Sequence, residues 1–153
     1  MRIVVISDSH KRQGNIFDII EKHMDSTDLF VFLGDVDDDF DSVLMLYPDI
    51  KYKRVVGNND FYSPYKVEDE FTFNGKKVFI THGHKYMVKH GYATIISHAK
   101  NIGADICLFG HTHVQYSEYI DGLYVLNPGA ARYGEYAMID VTNQGIMMIL
   151  CKL

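Results

Sequence analysis

Histidine, aspartate and asparagine recur along this chain in short sets that could hold cations: Asp8-Ser9-His10, Gly34-Asp35, Gly57-Asn58-Asn59-Asp60, His82-Gly83-His84 and Gly110-His111-Thr112-His113. Five of the eight histidines, namely His10, His82, His84, His111 and His113, fall in these sets, beside Asp8, Asp35, Asn58 and Asp60. Imidazole nitrogen mixed with carboxylate and amide oxygen, with no thiolate, suits Mn²⁺, Fe²⁺, Ni²⁺ or Zn²⁺ better than a cysteine-based structural zinc site or a Ca²⁺ cage. Taken singly each set is ordinary: Asp-x-His arises by chance, Gly-Asp is a common turn, and Gly-Asn-Asn-Asp makes a serviceable loop. Their joint occurrence, each where a buried strand stops, points to ligands for two adjacent metal ions.

The elements that must position them follow from hydrophobic pattern. Arg2 to Ser7 and Leu29 to Leu33 are apolar runs of the kind buried on both faces of a sheet, ending at Asp8 and at Gly34-Asp35. Ile16, Ile19, Ile20, His23 and Met24 recur at helical spacing, and a second helix is expected from about Phe40 to Tyr47, stopping before Pro48. Lys53 to Val56 leads into Gly57-Asn58, which gives a βαβαβ order with polar residues at each strand's C-terminal end, the edge where sites assemble in open α/β sheets. Asn74-Gly75 between Glu70–Phe73 and Lys77–Thr81 signals a type I′ hairpin that delivers His82. Tyr92 to Ala99 reads as a helix ending near Gly103, and Asp105 to Phe109 as a buried strand stopping at Gly110-His111. Asp121-Gly122 and Asn143-Gln144-Gly145 divide Gln115–Leu126 and Glu135–Cys151 into four strands, expected as an antiparallel meander. The reading is α/β, with two packed mixed sheets flanked by helices. In His111-Thr112-His113 an extended strand would send the two imidazoles to opposite sides, so the backbone must turn there, and Gly110 makes that turn cheap.

At 153 residues, 47% of them hydrophobic, the chain is expected to form a single domain over residues 1–153 with a real core. A net charge of −5, from 15 basic and 20 acidic side chains, argues against long nucleic acid as a partner and is compatible with a small phosphate ester bound through cations. Without an apolar run of about 20 residues or a signal-peptide core, no membrane association is expected and the chain reads as cytoplasmic. Cys107 and Cys151 are too few for a disulfide framework and read as buried thiols.

With Asp-Ser-His, Gly-Asp, Gly-Asn-x-Asp, Thr-His-Gly-His, Gly-His-Thr-His and Asn-Pro-Gly in this order from Asp8 to Gly129, the chain resembles the calcineurin-like metallophosphoesterases, and more closely their small prokaryotic phosphodiesterase branch. The resemblance implies a four-layer α/β/β/α sandwich and two divalent metal ions. It implies that Asp8, His10 and His113 hold the first ion, Asn58, His82 and His111 the second, and that the Asp35 carboxylate bridges both. Two cations about 3.5 to 4 Å apart repel, so a shared carboxylate between them is physically required as well. Mn²⁺ is the favoured ion, with Ni²⁺, Fe²⁺ and Zn²⁺ as alternatives. The implied reaction is hydrolysis of a small phosphate ester by a hydroxide shared between the ions, and the resemblance to that branch implies a phosphodiesterase. Many relatives carry histidine, thought to assist the leaving group, at the position of Asn59, and an amide cannot donate a proton at neutral pH.

Other residues have weaker claims. His84 is a candidate beside the site, as a donor to a ligand or a phosphate contact. Asp60 is expected to orient its loop. The acidic run Asp37-Asp38-Asp39 with Asp41 reads as a solvated turn at a helix N-terminus. Lys11 and Arg132 could touch phosphate, and Tyr62, Tyr65, Tyr86 or Tyr133 could line a cleft. His23, His90 and His98 read as surface or boundary residues, and Asn127-Pro128-Gly129 as a turn near the site. The main alternative function is a weak or inactive scaffold that binds partner proteins, as a phosphoesterase-like subunit does in the eukaryotic retromer complex; phosphomonoesterase or nuclease activity would differ only in the cleft. Exposed strand edges point to a homodimer or homotetramer.

Overall fold

The buried β-branched runs form the central strands. A computed structural model of the chain describes residues 1–35 and 37–153, with the backbone alone for 37 and 38. In chain order the elements are β1 (Arg2–Ile6), α1 (Gln13–His23), β2 (Leu29–Phe32), α2 (Asp37–Leu46), β3 (Tyr52–Arg54), β4 (Glu68–Phe73), β5 (Lys76–Thr81), α3 (Ala93–Asn101), β6 (Ile106–Leu108), β7 (Gln115–Ile120), β8 (Leu123–Pro128), β9 (Glu135–Thr142) and β10 (Gly145–Lys152). They build two five-stranded sheets, ordered β10-β9-β1-β2-β3 and β4-β5-β6-β8-β7. Strands β1, β2 and β3 run parallel, as do β5, β6 and β8, and the remaining strands are antiparallel, so both sheets are mixed as expected.

Three apolar clusters hold the layers together. Ile3, Val5, Val31, Val78, Ile80, Leu108 and Ile139 meet between the sheets. Ile16, Ile19 and Ile20 of α1 and Phe40 and Val43 of α2 pack on the outer face of the first sheet against Val4, Ile6, Phe30 and Phe32. Ile95 and Ala99 of α3 pack on the second sheet against Phe79, Cys107 and Val125. The alternation of β1, with Val4 and Ile6 facing helices while Ile3 and Val5 face the other sheet, is the strand period dividing one apolar run between two cores. The result is the α/β/β/α order. Among the described residues no helix is long and apolar enough to cross a membrane.

One detail differs from the sequence reading and another agrees with it. The four strands after His113 do not form one meander: β7 and β8 are a hairpin in the second sheet, whereas β9 and β10 are a hairpin in the first, with the chain crossing between sheets after Pro128. Turn residues located both hairpins, but no local signal says which sheet a strand joins. At Asn74 (φ 45°) and Gly75 (φ 77°) the backbone is left-handed at both central positions, as the expected type I′ turn demands.

Candidate metal centre

Every site loop leaves the C-terminal end of a parallel strand or the end of β5, so the topology gathers them at one edge of the sandwich. Backbone approach is close there. A Cβ on Gly34 would lie 2.4 Å from the Gly57 nitrogen, and one on Gly57 would lie 2.0 Å from Asp35 Oδ1, so neither position accepts a side chain. At Gly110 an added Cβ would meet Ser7 Oγ at 2.0 Å and Asp8 Oδ2 at 2.8 Å. The glycines of the motifs thus let the loops after β1, β2, β3 and β6 touch in pairs.

Left-handed backbone aims the side chains. Asp8 (φ 56°), His10 (φ 44°), Asp35 (φ 54°), His111 (φ 69°) and His113 (φ 60°) all adopt a conformation that costs a non-glycine residue roughly 1 kcal/mol or more. In the last loop this is the turn required by the alternation argument: both imidazoles lie on the site side because both residues are left-handed, with Thr112 donating its backbone N–H to the Gly110 carbonyl at 2.8 Å. Asn127, fully buried, donates its amide to the Gly110 carbonyl at 2.9 Å and to Thr112 Oγ1 at 3.0 Å, bracing the turn from beneath.

Seven side chains converge. Asp8 Oδ1 lies 3.1 Å from His113 Nε2 and 3.6 Å from His10 Nε2, and those two nitrogens are 3.1 Å apart. His82 Nε2 lies 3.9 Å from Asp8 Oδ1, 3.6 Å from Asp35 Oδ2, 3.2 Å from Asn58 Oδ1 and 3.0 Å from His111 Nδ1. Asp35 Oδ2 is also 3.7 Å from His10 Nε2, which places this carboxylate between the His10 and His82 imidazoles. His82 is fully buried and its Nδ1 sits 2.7 Å from the Leu33 carbonyl. A carbonyl only accepts, so Nδ1 carries the proton and Nε2 turns its lone pair to the cluster.

Whether these residues suit metal ions is answered by Asp8. It is fully buried, and its Oδ2 receives the Ser7 hydroxyl at 2.6 Å and the His111 backbone N–H at 3.0 Å, whereas Oδ1 has no hydrogen bond among the described residues and points at three imidazoles. An orphaned carboxylate oxygen facing imidazole nitrogens is a donor set for divalent cations. Among the described residues two groups meet the spacing for an ion, Asp8-His10-His113 and Asp8-Asp35-His82.

Electrostatics agrees with that crowding. Burial pushes the Asp8 carboxyl up, but the His10 and His113 imidazoles outweigh it and hold the group well below the usual carboxylate range. The Asp8 carboxylate raises His10, while burial and the nearby His82 lower His111 to about 4.

The residues of lesser claim separate. Asn59 donates its backbone N–H to Asp35 Oδ1 at 2.9 Å and its amide to Oδ2 at 2.6 Å. His84 is part-buried beside the cluster, its ring 5.6 Å from that of His82, with Nδ1 buried and without a partner among the described residues. Asp60 Oδ2 accepts from the backbone N–H of Gly57 and of Asp35, both at 2.7 Å, and so orients two loops as expected. The acidic run departs from the sequence reading. Asp39 is buried rather than solvated, accepting from the Ser9 hydroxyl and from the Lys11 N–H at 2.8 Å, so it pins the loop that carries His10. Asp41 accepts from Arg54 at 2.8 Å, and the side chains of Asp37 and Asp38 lie outside the described residues. Tyr65 stacks on the Arg54 guanidinium at 3.9 Å and Tyr86 donates to Glu68 at 2.8 Å, which occupies both elsewhere. Tyr62 and Tyr133 are exposed. His23 is half-buried, its Nε2 2.9 Å from the Tyr136 hydroxyl, and His98 packs between Phe79 and Tyr86. Ser7 and the Leu33 carbonyl, which orient Asp8 and His82, had no signal in the sequence; a serine before an aspartate and a backbone oxygen look like any other.

Residues 1–144 match the calcineurin-like phosphoesterase superfamily domain. The chain belongs to that superfamily. The probable metallophosphoesterase YsnB of Bacillus subtilis is 32% identical over 150 residues, covering 94% of this chain and 86% of the relative. A structure described as a novel archaeal phosphodiesterase superposes with a TM-score of 0.75 at 22% identity, over 99% of this chain and 100% of the other. Vps29 of Entamoeba histolytica, solved with zinc, superposes with a TM-score of 0.76 at 16% identity, over 99% of each chain. At these identities the two structures establish a shared fold.

Proposed function

We propose that this protein is a binuclear metal-dependent phosphodiesterase acting on small phosphate esters. The observation that carries the proposal is the convergence of Asp8, His10, Asp35, Asn58, His82, His111 and His113 on one edge, with Asp35 Oδ2 within 3.7 Å of both His10 and His82. Asp8, His10 and His113 would hold one cation, Asn58, His82 and His111 the other, and Asp35 both; Mn²⁺ is the favoured ion. When bound, two such cations would supply a nucleophile at neutral pH by lowering the pKa of water, and would neutralise charge developing on the phosphoryl oxygens. The chain's own residues set the geometry. Leu33 fixes the His82 tautomer, Ser7 and the His111 N–H fix Asp8, and Asn59 fixes both oxygens of Asp35. No side chain in this set releases a proton to a leaving oxygen, so the reading favours esters whose leaving group departs unaided.

The Vps29 likeness favours a second reading, a partner-binding scaffold on the same fold. Metal content per chain, and Mn²⁺-dependent hydrolysis of an aryl phosphodiester by wild type and Asp35→Asn, separate the two. The phosphodiesterase reading expects about two ions per chain and a loss of roughly 10³-fold or more on substitution. Near-normal activity in Asp35→Asn overturns the binuclear assignment, and a folded chain with neither metal nor activity supports the scaffold.

A further inference from the structure

The β10 edge of the first sheet is built unlike the other three sheet edges. Strand β3 has three residues, β4 carries Glu68, Asp69 and Glu70, and β7 has Glu118 in its middle, all of which discourage pairing with another strand. Strand β10, Gly-Ile-Met-Met-Ile-Leu-Cys-Lys, keeps unbroken register with β9 over eight residues and has neither proline nor acidic side chain; its one charge is Lys152, at the end. Met147 and Leu150 are 56% and 39% exposed on it.

The direction of its backbone groups can be read from its neighbours. Met1 and Val141 exchange both bonds, at 3.0 and 2.9 Å, and Leu153 donates to the Gly134 carbonyl at 3.0 Å. Odd-numbered residues of β9 therefore face β1, and odd-numbered residues of β10 face β9. By antiparallel alternation, Ile146, Met148, Leu150 and Lys152 direct their N–H and C=O groups outward, where no strand among the described residues pairs with them.

We propose that this edge pairs antiparallel with β10 of a second copy of the chain, joining two first sheets into one continuous sheet about a two-fold axis at Ile149. In that register Met148 faces Leu150 of the second copy and Ile146 faces its Lys152, so about eight main-chain bonds form. The chemistry of the strand favours its own copy over a charged partner. Residues on both sides of Ile149 are uncharged, and the two Lys152 side chains end far apart, so a chain of net charge −5 meets itself along a stretch free of acidic groups. Because β9 is antiparallel to both β1 and β10, β10 runs with β1, and the metal centre lies at its Lys152 end. The two-fold axis sends the two centres to opposite ends of the joined sheet, leaving both open.

Sedimentation velocity tests this. The wild-type chain should be a dimer at about 50 µM. Ile149→Lys places two like charges across the axis, and Leu150→Pro removes an outward N–H while leaving the β9 ladder intact; each should raise the dimer Kd by about 100-fold or more, with circular dichroism showing a folded chain. A wild-type chain still monomeric at about 200 µM overturns the proposal. So does a dimer whose Kd either folded variant leaves unchanged, since that dimer uses another face.

Discussion

Asn59 donates its backbone N–H and its side-chain amide to Asp35, and this bears directly on rate. An amide has no proton to give at neutral pH, so Asn59 cannot serve a leaving oxygen as an acid. Asn59→His should raise kcat by about 10- to 100-fold for alkyl phosphodiesters and little for nitrophenyl ones, because only the poorer leaving group needs the proton. A series of diesters of graded leaving-group pKa measures this; an equal effect across the series would sink it. The position was conspicuous in the sequence because it interrupts a set of otherwise matching residues. What Asn59 does instead, holding one oxygen of the Asp35 carboxylate with its amide and the other with its backbone N–H, required the fold.

Strand ends are the elements that make the site, and the loop after β6 shows how. Gly110 packs on Ser7, His111 and His113 both turn left-handed, and Asn127 at the end of β8 holds the turn closed. Asn127→Ala should cost the brace without emptying the core: metal affinity by isothermal titration should fall about 10- to 100-fold, and stability by about 1–2 kcal/mol from the orphaned Gly110 carbonyl. Unchanged affinity would mean that His111 and His113 hold their geometry unaided. The strands, the I′ hairpin and the need for a turn at His111 were legible because each has a local cause. The bracing was not, since Asn127 and Gly110 are 17 residues apart, one in β8 and the other in the loop after its neighbour β6.

Across the whole molecule, stability depends on groups that join layers. His23 at the end of α1 meets Tyr136 of β9, and burial, with the charges of Lys22 and Arg2, lowers its pKa below the ordinary value. A folded value below the unfolded one, about 6.5, means that the unfolded chain takes up the proton first. Neutral His23 therefore contributes stability that is fully present above pH ~6.5 and is lost as pH falls toward its folded value. In thermal melts of metal-free protein from pH 7.5 down to about 5.5, wild type should lose more Tm than His23→Gln, which cannot titrate. Parallel curves would remove His23 from the account.

What the sequence determined by itself was the chemistry and the layers: donor types, their order, the strands that end at them, and the hairpins flagged by Asn74-Gly75 and Asp121-Gly122 all rest on interactions within a few residues. What only the tertiary structure decided were relations between distant segments. Asp39 looked like a solvated helix-turn acid and is instead buried against the His10 loop, and β9 and β10 left the sheet of β7 and β8 to complete the other. Local propensity is blind to both, because burial and strand pairing depend on which surfaces remain uncovered once the rest of the chain has packed.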